Sequence, residues 1–400
     1  MRLTSPEELT HKTLELGMKD LQELHKFVPL FLVYIALGFR FFTNYAIRFM
    51  GIPPQQTQYL SSLIKIVWCI KILFGFLVDK LDHRYKLWLI FSSLVGITGY
   101  AICAFHNSVV FVISGLTLVN LSMTLSDIVV DACMVILYQK TDLDPSVIQP
   151  YGWVSLYFGV FLGYFVGGFV YNYEYFYLIW MAAPILTFVC AFYLPRYTKS
   201  AHTFNFKYNN VIFNKRTGTL VLFLLASRFA PSYSVGLDLF RKSVGIRVSN
   251  ISWSKATGAV LAMFSSLAFK MTLSKSSVIT QLLVVQLLQM LLCVLDAISL
   301  EIHKIALMIA IDCLDQVCTA LYMLIIMIFA MSICPKGYEA FYLSLIMTAY
   351  NFGNEIGEVL GGGGAVFHFL NIDNSFDNLI HAIVIKGAWT ATSCIILAGF

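Results

Sequence analysis

The chain has 400 residues, 58% of them hydrophobic and 12% charged, with a mean hydropathy of +0.77. Soluble domains carry about 25% charged residues, so this composition excludes an ordinary soluble protein and points to an integral membrane protein. The net charge of +5 is small and spread along loops, which argues against nucleic acid as a partner.

Residues 1–26 read as a short amphipathic cytoplasmic helix, with Ser5-Pro6-Glu7-Glu8 fitting a capping box. The first apolar run begins only near Phe27, and no cleavable signal peptide is visible ahead of it. Twelve spans follow, each near the 20 residues that a bilayer core requires. They cover 27–50, 59–78, 87–105, 109–137, 151–172, 175–194, 217–240, 251–271, 277–299, 305–333, 338–362 and 379–400. Most connections are short. The exception, 195–216, is a basic polar linker that divides the chain into six-span halves at 27–194 and 217–400. Two halves of six spans around a central linker resemble the layout of a major-facilitator-type transporter, an all-α membrane protein of two six-helix bundles.

Lys and Arg counts set the orientation. With the N-terminus inside, the tail and the loops on its side hold 16 of them and the opposite loops four, which predicts both termini in the cytoplasm. The loop after the second span, residues 75–86, reads GFLVDKLDHRYK. Asp79 followed by Arg84 is similar to the major-facilitator cytoplasmic loop, where acid and arginine lock neighbouring helix ends, so both are candidate gating residues. In the fifth span, Gly159, Gly163 and Gly167 recur every four residues, a spacing that lets helix backbones approach closely. The nine cysteines, at 69, 103, 133, 190, 293, 313, 318, 334 and 394, form no CxxC pair, and eight lie in apolar runs. Neither a disulfide framework nor a metal site is indicated, and no cofactor is expected.

The fourth span carries the sharpest signal. Asp127 and Asp131 sit four residues apart in an otherwise apolar run, so both carboxylates leave one face of the helix. Each acid near mid-bilayer costs roughly 2.5–3.5 kcal/mol on insertion scales, which implies a cavity, a partner cation or a substrate facing that stripe. Central bases are Arg40, Lys65, Lys71, Arg228 and Lys386, and further acids are Asp312, Asp315, Glu355 and Glu358. Arg48 and Lys255 lie close enough to span ends to snorkel. Asp238 and Asp296 are expected to be solvated for the same reason. Arg40, Asn44 and Arg48 form an i, i+4, i+8 stripe with Phe41, Phe42 and Tyr45 nearby, chemistry suited to a planar anion. Glu355 and Glu358 are one turn apart, with Lys386 a candidate partner.

These residues resemble the folate–biopterin transporter family, a branch of the major facilitator superfamily. The resemblance rests on Trp68, Lys71, Gly75 and Asp79 in the second span and on Ser126-Asp127-Ile128-Val129-Val130-Asp131-Ala132 in the fourth. It continues through Ala230-Pro231-Ser232, Cys334-Pro335-Lys336-Gly337-Tyr338-Glu339-Ala340 with Asn351 and Gly353, and Phe376-Asp377-Asn378-Leu379. Val67 and Ile72 depart from it, standing where the family usually has prolines, and Gly361 to Gly364 form an unusual glycine run.

The resemblance implies secondary active transport of folates or pterins, coupled to protons, across a plasma or organelle membrane by a monomer. Spans one, four, seven and ten then line a central cavity, and they carry Arg40, Asp127 with Asp131, Arg228, and Asp312 with Asp315. A carboxylate of the fourth span suits the amino group and ring nitrogen of a pterin, and Arg40, Lys71 or Arg228 suits an anionic glutamate tail. Asp127, Asp131, Asp312, Asp315 and Glu355 are candidate proton carriers. Structural ion pairing is the competing reading for each residue. Two other functions stay open: the same fold with another cargo (S-adenosylmethionine, a nucleoside-like cofactor or a small organic anion), and a membrane-embedded lipid enzyme with a divalent metal at Asp127 and Asp131. The enzyme would need a second acidic cluster beside the first, and the chain has no HExxH, nucleophile elbow or P-loop. Asn250-Ile251-Ser252 is a glycosylation sequon on the predicted outer side.

Overall fold

The computed structural model describes residues 25–81, 84–105, 108–141, 144–171, 176–194, 214–359, 366–372 and 376–398. The predicted N-terminal amphipathic helix and nearly all of the central linker lie outside these residues. Helix is the only regular secondary structure among them, and each of the twelve predicted spans coincides with a helix or a run of helices.

The first span is α1 (Val28–Phe39) and α2 (Phe41–Ala46), and the second is α3 (Pro54–Ile64), α4 (Ile66–Cys69) and α5 (Lys71–Lys80). Long helices follow: α6 (Tyr85–Phe105), α7 (Val109–Lys140) and α8 (Pro145–Val170). The sixth span is α9 (Tyr177–Trp180) with α10 (Ala182–Tyr193). The seventh is α11 (Lys215–Arg228) and α12 (Ser234–Ser243). Then come α13 (Val248–Thr272), α14 (Val278–Ile302), α15 (Ile305–Ile333), α16 (Glu339–Glu358), the single turn α17 (Val366–Phe369) and α18 (Leu379–Ala398). Asp144, Asn214 and Ser277 cap α8, α11 and α14 by accepting backbone N–H bonds, which fixes where those helices start.

Six segments of the described residues are long and apolar enough to cross a membrane: 25–45, 85–105, 109–140, 145–170, 278–302 and 305–333. Two shorter apolar helices, Tyr177–Tyr193 and Leu379–Ile395, match the sixth and twelfth spans. The other four spans, the second, seventh, eighth and eleventh, all carry buried or half-buried charge. The second and seventh are also broken into helices of at most 14 residues, so no single helix in them is long enough to cross.

Several of these charges stand at breaks in the helices. Arg40 separates α1 from α2, and Lys65 and Ile70 separate the three pieces of the second span. At these points the backbone tightens to i→i−3 bonds, such as Lys65 N–H to the Ser62 carbonyl at 3.1 Å. Pro231 has no N–H to continue the seventh span, and Ser232 N–H bonds instead to the Gly357 carbonyl on α16 at 3.0 Å.

The fifth-span glycines do what their spacing predicts. A Cβ on Gly159 or Gly163 would overlap the backbone carbonyl of Ile35 or Phe39, so α8 and α1 pack backbone to backbone. Gly75 plays the same part against Ala340 and Ser344, and so brings α5 onto α16.

Candidate functional site

The intramembrane charges fall into separate clusters. In the first, the Lys71 ammonium opens α5 and lies 2.5 Å from Asp127 and 3.3 Å from Asp131, both on α7. The predicted common face of the two acids is therefore turned toward one cation. Tyr34 on α1 donates to Asp131 at 2.7 Å, and the Trp68 ring lies 5.9 Å from the ammonium. Lys71 is fully buried, whereas the Asp127 side chain keeps 17% exposure, which leaves it as the accessible member of the group.

Arg40 joins neither acid. Its guanidinium is fully buried and donates to Ser122 on α7 at 3.0 Å and Thr187 on α10 at 2.8 Å, with Nε unpartnered. The Arg40–Asn44–Arg48 stripe does not converge on one ligand. Asn44 exchanges amide hydrogen bonds with Asn120, and Arg48 reaches Asp238 on α12. The helix break at Arg40 and the 3-10 turn Ile47–Phe49 remove the straight face on which such a stripe depends.

The second cluster joins the two sequence halves. Asp238 pairs with Arg48, lies 3.1 Å from Arg241 and 3.8 Å from Lys255, and is 1% exposed. Asp312 on α15 lies 3.2 Å from Lys255 and 3.3 Å from Arg241. Tyr45 is flanked by Arg48 and Lys255, at 5.2 and 5.1 Å from its ring centre. The expectation of a solvated Asp238 and of snorkelling Arg48 and Lys255 is thereby corrected: partners from other helices neutralise them in the protein. Asp296, also expected in solvent, is 6% exposed and accepts from Tyr233 at 2.7 Å.

A second bridge between the halves lies close by. Lys65 on the second span binds Glu355 at 2.9 Å and Glu358 at 2.7 Å, so Lys65 rather than Lys386 is the partner of these acids. At the other end of the same helices, Asp79 accepts from the Ala340 and Phe341 N–H groups at 3.3 and 2.8 Å, capping α16. Arg84 is exposed on the adjoining surface.

A cavity of about 340 Å³ opens among the seventh to twelfth spans, the end of the first and Tyr164 of the fifth. Arg228, Asp296, Asp312, Asp315, Lys386 and Glu358 all contribute to its wall. Arg228 stacks on the rings of Tyr322 and Tyr350, 3.7 and 4.9 Å from their centres, while its Nε and Nη2 have no hydrogen-bond partner among the described residues. Asp315 is exposed to the cavity, and the Asp296 Oδ1 has no partner. Lys386 lies 4.7 Å from the Tyr233 ring. Of the predicted substrate and proton residues, the cavity thus gathers Arg228, Asp312 and Asp315, while Arg40, Lys71, Asp127, Asp131 and Glu355 lie outside its wall. Sequence reading placed Arg48, Asp238 and Lys255 at span ends and gave Arg241 no role in a site. The Asp238–Arg241 spacing of three residues was the one local signal that two of them pair.

The fold is similar to solved structures of transporters of the major-facilitator class. A mutant form of the nucleoside transporter NupG superposes with a TM-score of 0.69 at 13% identity, covering 94% of this chain and 99% of that one. The human organic anion transporter MFSD10 gives 0.66 at 12% identity over 93% and 97%. A bacterial homologue of the iron transporter ferroportin, outward-facing with soaked iron, gives 0.64 at 13% over 94% and 98%. No curated protein sequence matches the chain significantly. The fold and the buried polar cavity define a multi-pass membrane transporter. The BT1 family, named the folate–biopterin transporter family, matches residues 35–194 and 175–400, and the chain belongs to it.

Proposed function

We propose that this transporter carries folate- or pterin-type solutes by alternating access in symport with protons, the halves 27–194 and 217–400 rocking about the cavity. The observation that carries this reading is Arg228. Its planar cation rests on two tyrosine faces with nitrogens free to donate, in a cavity that also holds Asp315 and Lys386. A carboxylate-bearing solute with a flat, amino-substituted ring matches that set: Arg228 and Lys386 take the anion, and Asp315 accepts from the ring amine. The volume falls within the range of small-molecule sites.

In this reading Asp127 and Asp131 are the proton carriers of the first half, exchanging against Lys71, while Asp312, Asp315 and Glu355 serve the second. Arg48–Asp238 and Lys65–Glu355/Glu358 close one end of the path, and the Asp79 cap on α16, with Arg84 beside it, closes the other. The excess of basic residues at the Asp79 end supports a cytoplasmic position for that end and for both termini.

The test is uptake into proteoliposomes of labelled folate and biopterin under an imposed pH gradient, with S-adenosylmethionine, a nucleoside and a small organic anion as competitors. Gradient-dependent folate or pterin uptake supports the reading. Uptake of a competitor alone, with no folate or pterin entering, assigns the fold to that cargo instead.

A further inference from the structure

A groove of about 540 Å³ on the outer surface of the molecule belongs to neither the cavity nor the ion-pair clusters. It lies where the second span ends and the third begins, and is lined by Lys80, Leu81, Arg84, Leu87, Trp88 and Phe91. Its two ends differ in chemistry. Lys80 and Arg84 are exposed cations at the helix ends, and neither makes an ion pair among the described residues. From there Leu87 and Phe91 run down α6, 55% and 51% exposed, on an apolar face that the described residues leave open. Trp88 stands between the two zones in edge contact with Phe91, 6.4 Å between ring centres, and its indole N–H has no partner among the described residues. An amphipathic ring with a free donor at that depth suits a lipid's glycerol-ester region.

We propose that this groove binds an anionic glycerophospholipid, its phosphate held by Lys80 and Arg84 and one acyl chain laid along Leu87 and Phe91. A soluble phosphate would satisfy only the cationic end and leave the apolar wall unused. A zwitterionic lipid brings no net charge to offset two cations that have no ion-pair partner among the described residues. Each cation near an anionic membrane surface contributes about a threefold preference for anionic lipid, so the pair gives about tenfold enrichment over neutral lipid. Lys80 directly follows Asp79, whose carboxylate caps α16, so the bound lipid sits against the segment that holds the two halves together at this end.

The test uses the full-length protein in vesicles of phosphatidylcholine containing a minor fraction of brominated lipid, either phosphatidylglycerol or phosphatidylcholine. The difference in fluorescence quenching between the parent and Trp88→Phe isolates the Trp88 contribution. Brominated phosphatidylglycerol is expected to quench it as though enriched about tenfold, and Lys80→Gln/Arg84→Gln to bring the enrichment to one. Lys270→Gln/Lys275→Gln removes two exposed cations from another turn and is expected to leave the enrichment intact. Should the groove double variant fail to fold, Arg84→Gln alone, at an exposed position, is expected to cut the enrichment to roughly threefold. Equal quenching by the two lipids in the parent, or equal loss in both double variants, would overturn the proposal. So would displacement of the lipid by soluble glycerol 3-phosphate, which would make this a headgroup site for a free anion.

Discussion

Two regions of the molecule bury charge in opposite ways. Around Lys71 the ammonium has two carboxylates within 3.3 Å, a tyrosine donor secures one of them, and a tryptophan ring lies beside the cation. Around Arg228 the cation is stacked on rings but its edge is unsatisfied, and Asp296 likewise keeps an oxygen without a partner. Buried polar groups that have partners hold helices in place. Those without them carry a desolvation cost that a ligand is able to remove. On the proposed function, the difference separates residues that define a conformation from residues that take the solute, although both look alike as charges in apolar runs.

The largest effect that would break this comparison is on stability. Lys71→Met leaves Asp127 and Asp131 facing each other without a cation, and stranding one side of a buried ion pair costs about 3–5 kcal/mol. Purified protein in detergent is expected to lose its thermal transition or to melt many degrees lower. The triple variant Lys71→Met/Asp127→Asn/Asp131→Asn is expected to recover most of that loss, because no charge is then stranded. An unchanged midpoint for Lys71→Met would show that the cluster holds nothing together.

The next prediction falls on the other side of the comparison. Arg228→Met keeps an unbranched side chain against Tyr322 and Tyr350 but removes the free donors. A charge-assisted hydrogen bond contributes about 1.5–3 kcal/mol, so solute affinity is expected to fall roughly 10–100-fold. The thermal midpoint is expected to drop only slightly, through the lost stacking on the two rings, since Nε and Nη2 have no hydrogen-bond partner among the described residues. Measuring uptake and melting on the same preparation checks both. Full uptake with a lowered midpoint would invert the assignment and make Arg228 structural.

How much of this was readable beforehand depends on whether a property is local. The spans were legible because a twenty-residue apolar run is a local fact, and predicted and observed helix ends mostly agree within a few residues. The shared face of Asp127 and Asp131 was legible too, since a spacing of four on an unbroken helix fixes it, and α7 is unbroken from Val109–Lys140. The Arg40–Asn44–Arg48 stripe rested on the same periodicity but failed, because the first span is interrupted at Arg40. Asp238 was misplaced for a different reason. Its distance from a span end suggested water, yet Arg48, from the other half of the sequence, reaches it in the fold. Pairings such as Lys65 with Glu355 and Glu358 join positions nearly 300 residues apart, and no one-dimensional pattern encodes them.

The smallest effect sharpens the comparison most. Tyr34→Phe deletes one hydroxyl from the satisfied cluster and leaves Lys71 and both carboxylates in place. Removing one buried hydrogen bond costs about 1–2 kcal/mol, and more when the acceptor has no other partner. Here the phenol donates to Oδ1 while the ammonium, 3.3 Å away, reaches Oδ2. The carboxylate keeps its countercharge but Oδ1 loses this donor, so the expected cost sits at the upper end of that range, a midpoint shift of a few degrees. Uptake separates two roles for the phenol. If it merely fastens α1 to α7, transport by the protein that remains folded is unchanged across the pH range. If the Asp131 carboxyl exchanges a proton as the halves move, losing its donor changes the pH dependence of uptake while the stability loss stays small. A large collapse in stability from this single hydroxyl would mean that Lys71 does not satisfy Asp131, and the contrast with the Arg228 cavity would then lose its basis.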